Sequence, residues 1–348
     1  KTKVIPLKSI FFYGEHVKIS IRMLIKYLIN YHSTLKNTIK LIKEEKPDLV
    51  YLNTIVLIPV AIGVKNTKIP LLWHIREVPG PINLIRNWQL KKIKKMADKI
   101  IVTSNYVKSF FGDTYKIRTI HNAVDLNRFD IDPIKSRFNI RKEFGIREDS
   151  KVICMIGSIQ KEKGHYILVE SAKEIIKAYN NIKFLIVAGG VSEKYAHSWK
   201  GKIKKALGIP FGNLERMTNQ ILKNNLEKYF IFTGYRDDIP EILSASDIVV
   251  FLSQKAEGFG RPIIEGMASG KPIVVTDIGP SRELLGKGCG ILVKVNDIES
   301  IKNSIIKLID NPKLCIKMGM QGRHRVEKKF DLQRHVKSVE KCIDETLN

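Results

Sequence analysis

Cysteine is scarce, with four in 348 residues, at positions 154, 289, 315 and 342. None stands in a C-x-x-C pair or close to a histidine, so neither a zinc site nor a disulfide framework is indicated, and a reducing cytoplasm fits. Long apolar runs are missing too. The longest, residues 49–64, is interrupted by Asn53 and Pro59 and is too short to cross a bilayer. It reads as a strand followed by a helix. No signal peptide is visible, and no repeat or low-complexity tract occurs. Acidic side chains are also few: 35 Asp plus Glu face 60 Lys plus Arg, a net charge of +25. Residues 1–125 carry the steepest imbalance, with 22 basic against 8 acidic side chains. Such an excess attracts polyanions, whether nucleic acid, an anionic bilayer surface or a phosphorylated substrate. Composition does not choose among them, and free use of lysine codons would give part of the same charge. The basic block at residues 91–95, with Leu90, Ile93 and Met96 to one side, reads as the solvated face of an amphipathic helix in preference to a membrane contact.

A chain of this length exceeds what one hydrophobic core usually serves, so two domains are expected. Short apolar runs at residues 3–7, 48–52, 70–74, 99–103 and 116–121 alternate with helical periodicity such as that of residues 21–45. The theme repeats at residues 151–156, 183–188, 230–233, 247–251, 272–276 and 290–293. Continuous apolar strands alternating with helices indicate βαβ units and parallel sheets covered on both faces. The fold class is therefore α/β, with two Rossmann-like doubly wound domains. We place them at residues 1–126 and 127–330, with a join somewhere in residues 127–150, where charged residues and Pro133 replace periodicity. Residues 191–228 form a longer and more basic connection than a strand-to-strand link needs and suit a specificity or membrane-contact element. In open α/β sheets ligands bind outside the carboxyl ends of strands, and every motif below lies at such an end.

The most informative passage is Glu257-Gly258-Phe259-Gly260-Arg261-Pro262-Ile263-Ile264-Glu265. Pro262 suits the first helical position and Gly270 the left-handed residue past the end, which predicts a helix over residues 262–269. Backbone N–H groups near Gly260 and Arg261 would face outward at its N-terminus, where the macrodipole favours an anion such as a pyrophosphate. Arg261 adds a positive charge. Glu265, expected in the first turn, can accept hydrogen bonds from the two hydroxyls of a ribose. Glu257, on the loop before the helix, can reach a sugar. A second phosphate-cradling loop runs from Gly157 through Ser158 to Lys163 and Gly164, between a strand and a helix. His74 ends an apolar strand beside Arg76 and Glu77.

The Glu-x7-Glu passage and its neighbours resemble the retaining, nucleotide-sugar-dependent glycosyltransferases of family 4, also called group 1. The resemblance implies the GT-B fold, two domains facing across a cleft, with residues 331–348 forming a helix that crosses back to the first. In that family the glycine loop carries Gly-Arg followed by Lys-Gly, bracketing the diphosphate; Lys163 matches the Lys, and Ser158 stands where Arg is expected. Gly157, Ser158, Lys163, Phe259, Gly260, Arg261 and Glu265 are then donor contacts. Gly189 and the Gly234-Tyr235-Arg236-Asp237-Asp238 turn match loops lining base and ribose, although tight turns and helix caps explain these residues equally well. His74, in an HxRE setting, faces the donor sugar and, with Glu257 and Lys163, is assigned to catalysis. Ser104-Asn105 and His121-Asn122 also match the family's pattern. The resemblance begins late, at what looks like a third strand, so roughly 50–70 residues of a full first domain are expected to precede it.

The activity implied is transfer of a sugar from a nucleoside diphosphate sugar to a glycan or lipid-linked acceptor in cell-surface polysaccharide synthesis, with retained anomeric configuration. No cofactor and no metal are expected, since the cationic residues can neutralise the diphosphate. Peripheral contact with an anionic membrane is compatible with the charge; specific nucleic-acid binding is not expected. A catalytically inactive nucleotide-binding subunit is the alternative, motivated by Ser158 and the late start.

Overall fold

The structure, a computed structural model, describes residues 21–188 and 212–348. The first expected strand, Gly189, Gly190 and the first part of the long connection lie outside the described residues. The chain divides into two compact units. The first contains the described residues up to Asn122, together with Glu257–Phe259 and Gln333–Asn348. The second contains Ala123–Ala256 and Gly260–Leu332.

In the first unit, strands β1 (Val50–Leu52), β2 (Leu71–Ile75), β3 (Lys99–Val102) and β4 (Ile117–Thr119) form a parallel sheet in the order β1-β2-β3-β4. Helix α1 (Ile21–Glu45) precedes β1, and α2 (Ile58–Lys65), α3 (Asn83–Met96) and α4 (Asn105–Ser109) connect the strands. The strands read as unbroken apolar runs because helices cover the sheet: all five residues of β2 are buried. Trp73 is fully enclosed, and its indole N–H finds the Thr54 carbonyl at 2.8 Å. Helix α13 (Leu332–Leu347) packs Cys342 into a small cluster with Leu72, Ile101 and Ile120. Arg118 pairs with Glu345 at 2.6 Å beside it.

The second unit holds a 6-stranded parallel sheet built from β5 (Lys151–Ile156), β6 (Ile182–Val187), β7 (Phe230–Gly234), β8 (Ile248–Phe251), β9 (Ile273–Thr276) and β10 (Gly290–Val293). Their order is β10-β9-β8-β5-β6-β7. The chain runs outward from β5 to β7, then returns to the other side of β5, so the direction of winding reverses between β5 and β8. That reversal opens the loops at the carboxyl ends of β5 and β8 into a crevice, the place where open α/β sheets bind ligands.

The stretch we expected to be a join without periodicity contains a helix, α5 (Pro133–Glu143). Asp132 caps it, accepting from the amides of Ile134 and Lys135 at 3.0 Å. Its buried face is not marked by apolar spacing because Arg141 occupies it. This guanidinium is fully buried and donates to the carbonyls of Ala245, Arg147, Glu148 and Ser150 and to the Asp247 carboxylate. Asp247 also accepts from the Val152 amide at 2.7 Å and from Arg137. The network ties α5 to the starts of β5 and β8.

Candidate active site

The half expected to hold phosphate lies in the second unit. After β5, Gly157 takes φ +138°, and a short 3-10 turn, Lys161–Lys163, ends at Gly164 with φ +85°. Gly164 then starts α6 (His165–Ala178). A Cβ at Gly164 would lie 1.9 Å from the Leu252 carbonyl oxygen, so only glycine permits this loop to press against the one that follows β8. Three polar links hold the two loops together: the Gln254 amide and the Ser253 hydroxyl donate to the Glu162 carbonyl at 2.7 and 3.2 Å, and Lys255 lies 3.5 Å from the Glu162 carboxylate. Lys163 is thereby carried, half-buried, on a fixed loop at the crevice. His165, behind it, is fully buried; burial pushes its imidazole down to about 4, Lys163 adds to that, and the Gly157 backbone opposes it. Ser158 is exposed.

Helix α9 (Arg261–Ala268) begins one residue earlier than predicted. Its N-cap is Gly260, at φ +147°, which has no side chain to cap with, and its first turn contains no acid. Pro262 has no amide hydrogen and the Ile263 amide donates to the Gly260 carbonyl at 3.0 Å, so the positive end of the dipole is presented by the Gly260 and Arg261 amides, with no acid in the first turn. With Arg261 opening the helix, Glu265 is not in the first turn as expected but in the second. There it is almost fully buried and accepts from Arg261 at 2.9 Å. Burial raises its pKa, while the Arg261 charge and hydrogen bond lower it. The two residues assigned to different parts of a donor therefore hold each other. A carboxylate has about four acceptor sites, so this bond leaves capacity for hydroxyl donors.

The turn after β7 reads differently. Tyr235 is 81% exposed, but the Arg236 guanidinium is committed to Asp238 at 2.6 and 2.8 Å and to Glu143 at 2.5 and 3.2 Å, which pushes its pKa further up. Its ring neighbour is Phe144, 5.7 Å away. Of the two roles open for Arg236, the structure supports the structural one. Asp238 does occupy the N-cap position of α8 (Ile239–Ala245), yet its side chain makes no capping bond, because Arg236 takes it.

The first unit holds the other residues. His74 is buried, and its Nδ1 lies 2.5 Å from the Tyr51 hydroxyl. Burial, then the nearby charges of Arg76 and His335, lower its pKa to about 4, so the ring is neutral at physiological pH. Burial also raises the Tyr51 pKa, so the phenol keeps its proton. The phenol can donate to Nδ1 or accept from it, and the tautomer follows the choice: when Tyr51 donates, Nδ1 accepts and the imidazole proton sits on Nε2. That atom is buried and has no hydrogen-bond partner among the described residues. Next to it, Glu77 is fixed by the amides of Ile55 and Arg76 at 3.1 and 3.2 Å, and Arg76 donates to Asn122 at 3.1 Å.

Glu257 and Phe259 belong to this unit, whereas Gly260 and Glu265 belong to the other. Between them, the Gly258 carbonyl accepts from the hydroxyls of Thr103 and Ser104 at 3.0 and 2.8 Å. A Cβ at Gly258 would sit 2.0 Å from the Arg76 carbonyl oxygen. Phe259 is buried, with its ring 6.0 Å from that of His121. Sequence reasoning missed Tyr51, Thr103 and the close approach at Gly258. Tyr51 could have been sought as a polar residue ending a strand next to β2; the others carry no local signal. The sequence also contains an Asp-x-Asp spacing, Asp130-Ile131-Asp132, in which Asp132 is the α5 cap. Among the described residues, no three His, Cys, Asp or Glu side chains gather as metal ligands would.

The family model described as Glycosyl transferases group 1 matches residues 136–325, and one described as Glycosyltransferase Family 4 matches residues 8–128. The UDP-Gal:alpha-D-GlcNAc-diphosphoundecaprenol alpha-1,3-galactosyltransferase of Escherichia coli is 26% identical over 343 residues, an overlap of 92% of this chain and 81% of that enzyme. The N-acetyl-alpha-D-glucosaminyl L-malate synthase of Bacillus anthracis is 27% identical over 66% of this chain, which spans only 54% of that protein. Among solved structures, a glycosyltransferase from Rickettsia africae superposes with a TM-score of 0.76 at 22% identity, over 92% of this chain and 82% of the other. Anabaena HepE, solved with UDP and glucose, gives 0.77 at 21% identity, over 89% and 80%. These likenesses show the GT-B fold. Relatives named as a galactosyltransferase and a synthase do not favour an inactive subunit. Because the first family model spans more than half of its residues, this chain belongs to the group 1 glycosyltransferases.

Proposed function

We propose that the chain transfers a glycosyl group from a nucleoside diphosphate sugar to a glycan or lipid-linked acceptor with retention at the anomeric carbon, in the synthesis of a cell-surface polysaccharide. The observation that carries the reading is the uncapped, acid-free N-terminus of α9, set at the crevice of the second unit where Lys163 is also held. As the bond from the anomeric carbon to the diphosphate oxygen breaks, negative charge grows on the leaving phosphate. Fixed positive groups there stabilise the transition state more than the ground state. Lys163, the Gly260 and Arg261 amides at the start of α9 and the Arg261 side chain supply them, and Glu265 takes the ribose hydroxyls. The acceptor oxygen bonds to the anomeric carbon on the face the phosphate leaves, and its proton passes to that phosphate. His74, with its proton on Nε2, donates to a sugar hydroxyl, and Glu257 accepts from another. The diphosphate is neutralised by cationic side chains without a metal.

The acceptor class follows from the Escherichia coli relative, named for a diphosphoundecaprenol-linked acceptor. UDP leads the candidate donors because HepE was solved with it. A thermal-shift screen of UDP-, GDP- and ADP-sugars tests the donor site, since a ligand that binds only the folded state raises its stability by about 2.7 kcal/mol at 100 times its Kd. One nucleotide class should raise the midpoint, and Lys163→Ala and Glu265→Gln should each erase the rise. A rise that survives both substitutions would place the nucleotide elsewhere. NMR of the product's anomeric proton reads the stereochemistry, and an inverted product would end the retaining mechanism.

A further inference from the structure

We propose that α3 is a membrane-docking helix, in which Ile82, Leu84 and Trp88 enter the headgroup region of an anionic bilayer while Lys91, Lys92 and Lys95 bind the lipid phosphates. One face of α3 is fixed to the protein: Leu90, Ile93 and Met96 are buried in the core of the first unit, and Gln89 donates to the Ile55 carbonyl at 3.2 Å. The opposite face is exposed. Leu84 is 82% exposed, Ile82 47% and Trp88 43%. Lys91, Lys92 and Lys95 are exposed as well. Residues 84, 88, 91 and 95 follow one another at helical spacing, so they form a single outward stripe, apolar at its start and cationic at its end. Lys92 reaches back over the Trp88 ring, 5.9 Å from its centroid. Lys94, by contrast, points inward to the Phe111 carbonyl. No acid occurs between Glu77 and Asp98.

Single exposed apolar residues need no explanation. Three at one end of a cation-only helix form the arrangement of an interfacial helix, and tryptophan prefers the headgroup level. Charge complementarity names the surface as anionic. Nucleic acid would satisfy the lysines but leave Ile82 and Leu84 in water, whereas a bilayer accommodates both ends. The solvated-face reading of residues 91–95 accounts for the lysines alone.

The test is sedimentation of the full chain with vesicles of phosphatidylcholine alone or mixed with phosphatidylglycerol. Binding should require the anionic lipid. Each lysine near such a surface contributes about fivefold, corresponding to ~1 kcal/mol, so a triple Lys91→Gln, Lys92→Gln, Lys95→Gln variant should lose on the order of 100-fold in partitioning. Leu84→Ser with Trp88→Ser should cost at least ~10-fold. In a variant that adds charge, Asn87→Lys, binding should rise about fivefold. Brominated lipid should quench wild-type fluorescence more than that of Trp88→Phe. Binding that ignores Leu84 and Trp88, that is equal on both vesicles, or that appears only with DNA and vanishes with the lysines would overturn the proposal. All six residues are exposed or nearly so, and circular dichroism melting of each variant should match the wild type.

Discussion

Tyr51→Phe isolates one hydrogen bond in the candidate site. The substitution removes a hydroxyl and keeps the ring, whose edge-on packing against His74 at 5.9 Å should persist. What changes is Nδ1 of His74, a buried ring nitrogen that loses its hydrogen-bond partner 2.5 Å away. Leaving a buried acceptor unpaired costs about 1–3 kcal/mol, and we expect ~1–2 kcal/mol here, because the ring can recover part of the loss by moving its own proton to Nδ1. That escape has a signature. With Tyr51 donating, the wild-type proton sits on Nε2; in the variant a fraction shifts to Nδ1, and 15N imidazole shifts report the change. If His74 donates through Nε2 to the donor sugar, kcat should fall on the order of tenfold with little change in KM, because a misplaced donor weakens a contact formed as the reaction proceeds. Urea unfolding measures the stability loss. An unchanged tautomer together with an unchanged unfolding midpoint would refute the assignment of Tyr51 as the group that sets His74.

The pH dependence of stability should carry the two buried histidines. His74 and His165 have folded pKa values near 4, below the ordinary 6.5. The unfolded chain therefore binds more protons between those limits, so stability is fully present above about pH 6.5 and declines towards pH 4, by up to ~3 kcal/mol per histidine. Urea midpoints taken across that window check the slope, which should flatten in His165→Gln if that variant folds. Gly164→Ala should destabilise the second unit by more than ~3 kcal/mol, since its Cβ meets the Leu252 carbonyl oxygen at 1.9 Å in a left-handed conformation; a melting curve within a degree of wild type would contradict this. Arg141→Met should cost about 3 kcal/mol or more, because the carbonyls of Ala245, Arg147, Glu148 and Ser150 lose their donor, while Asp247 keeps Arg137 and the Val152 amide; calorimetry should show the loss in the second unit.

The architecture was legible where burial leaves a mark on composition. Strands such as Lys151–Ile156 and Ile248–Phe251 are covered on both faces, so they read as unbroken apolar runs, and their alternation with helices implies parallel sheets. Helix α5 was not legible for the converse reason. Its inner face is satisfied by Arg141, a residue that counts as polar in any periodicity yet is fully enclosed by carbonyls. Boundaries moved by a residue or two where a cap decided them. Pro262 marks the start of α9, but the helix admits Arg261 because Gly260 takes the turn at φ +147°.

The candidate site divides along the same line. The helix start of α9, proposed to bind an anion, can be derived from local chemistry, since glycine, proline and the lack of an early acid are all written within a few residues. Contacts made across the sequence cannot be. Thr103 and Ser104 hold the Gly258 carbonyl over separations of 155 and 154 residues, and nothing near Gly258 announces them. These bonds give a physical reason for the glycine that motif reasoning treats as a spacer: a side chain there would collide with the Arg76 carbonyl oxygen at 2.0 Å. The segment carrying Glu257 is thus set by backbone approach to the strand ends that follow His74 and precede Asn105. Gly258→Ala should consequently displace Glu257 while leaving Lys163 and Glu265 in place in the second unit. Nucleotide alone should still raise the melting temperature of that variant, whereas transfer should fall at least ~100-fold. Loss of the nucleotide shift in Gly258→Ala would mean that the two halves of the motif are not built independently.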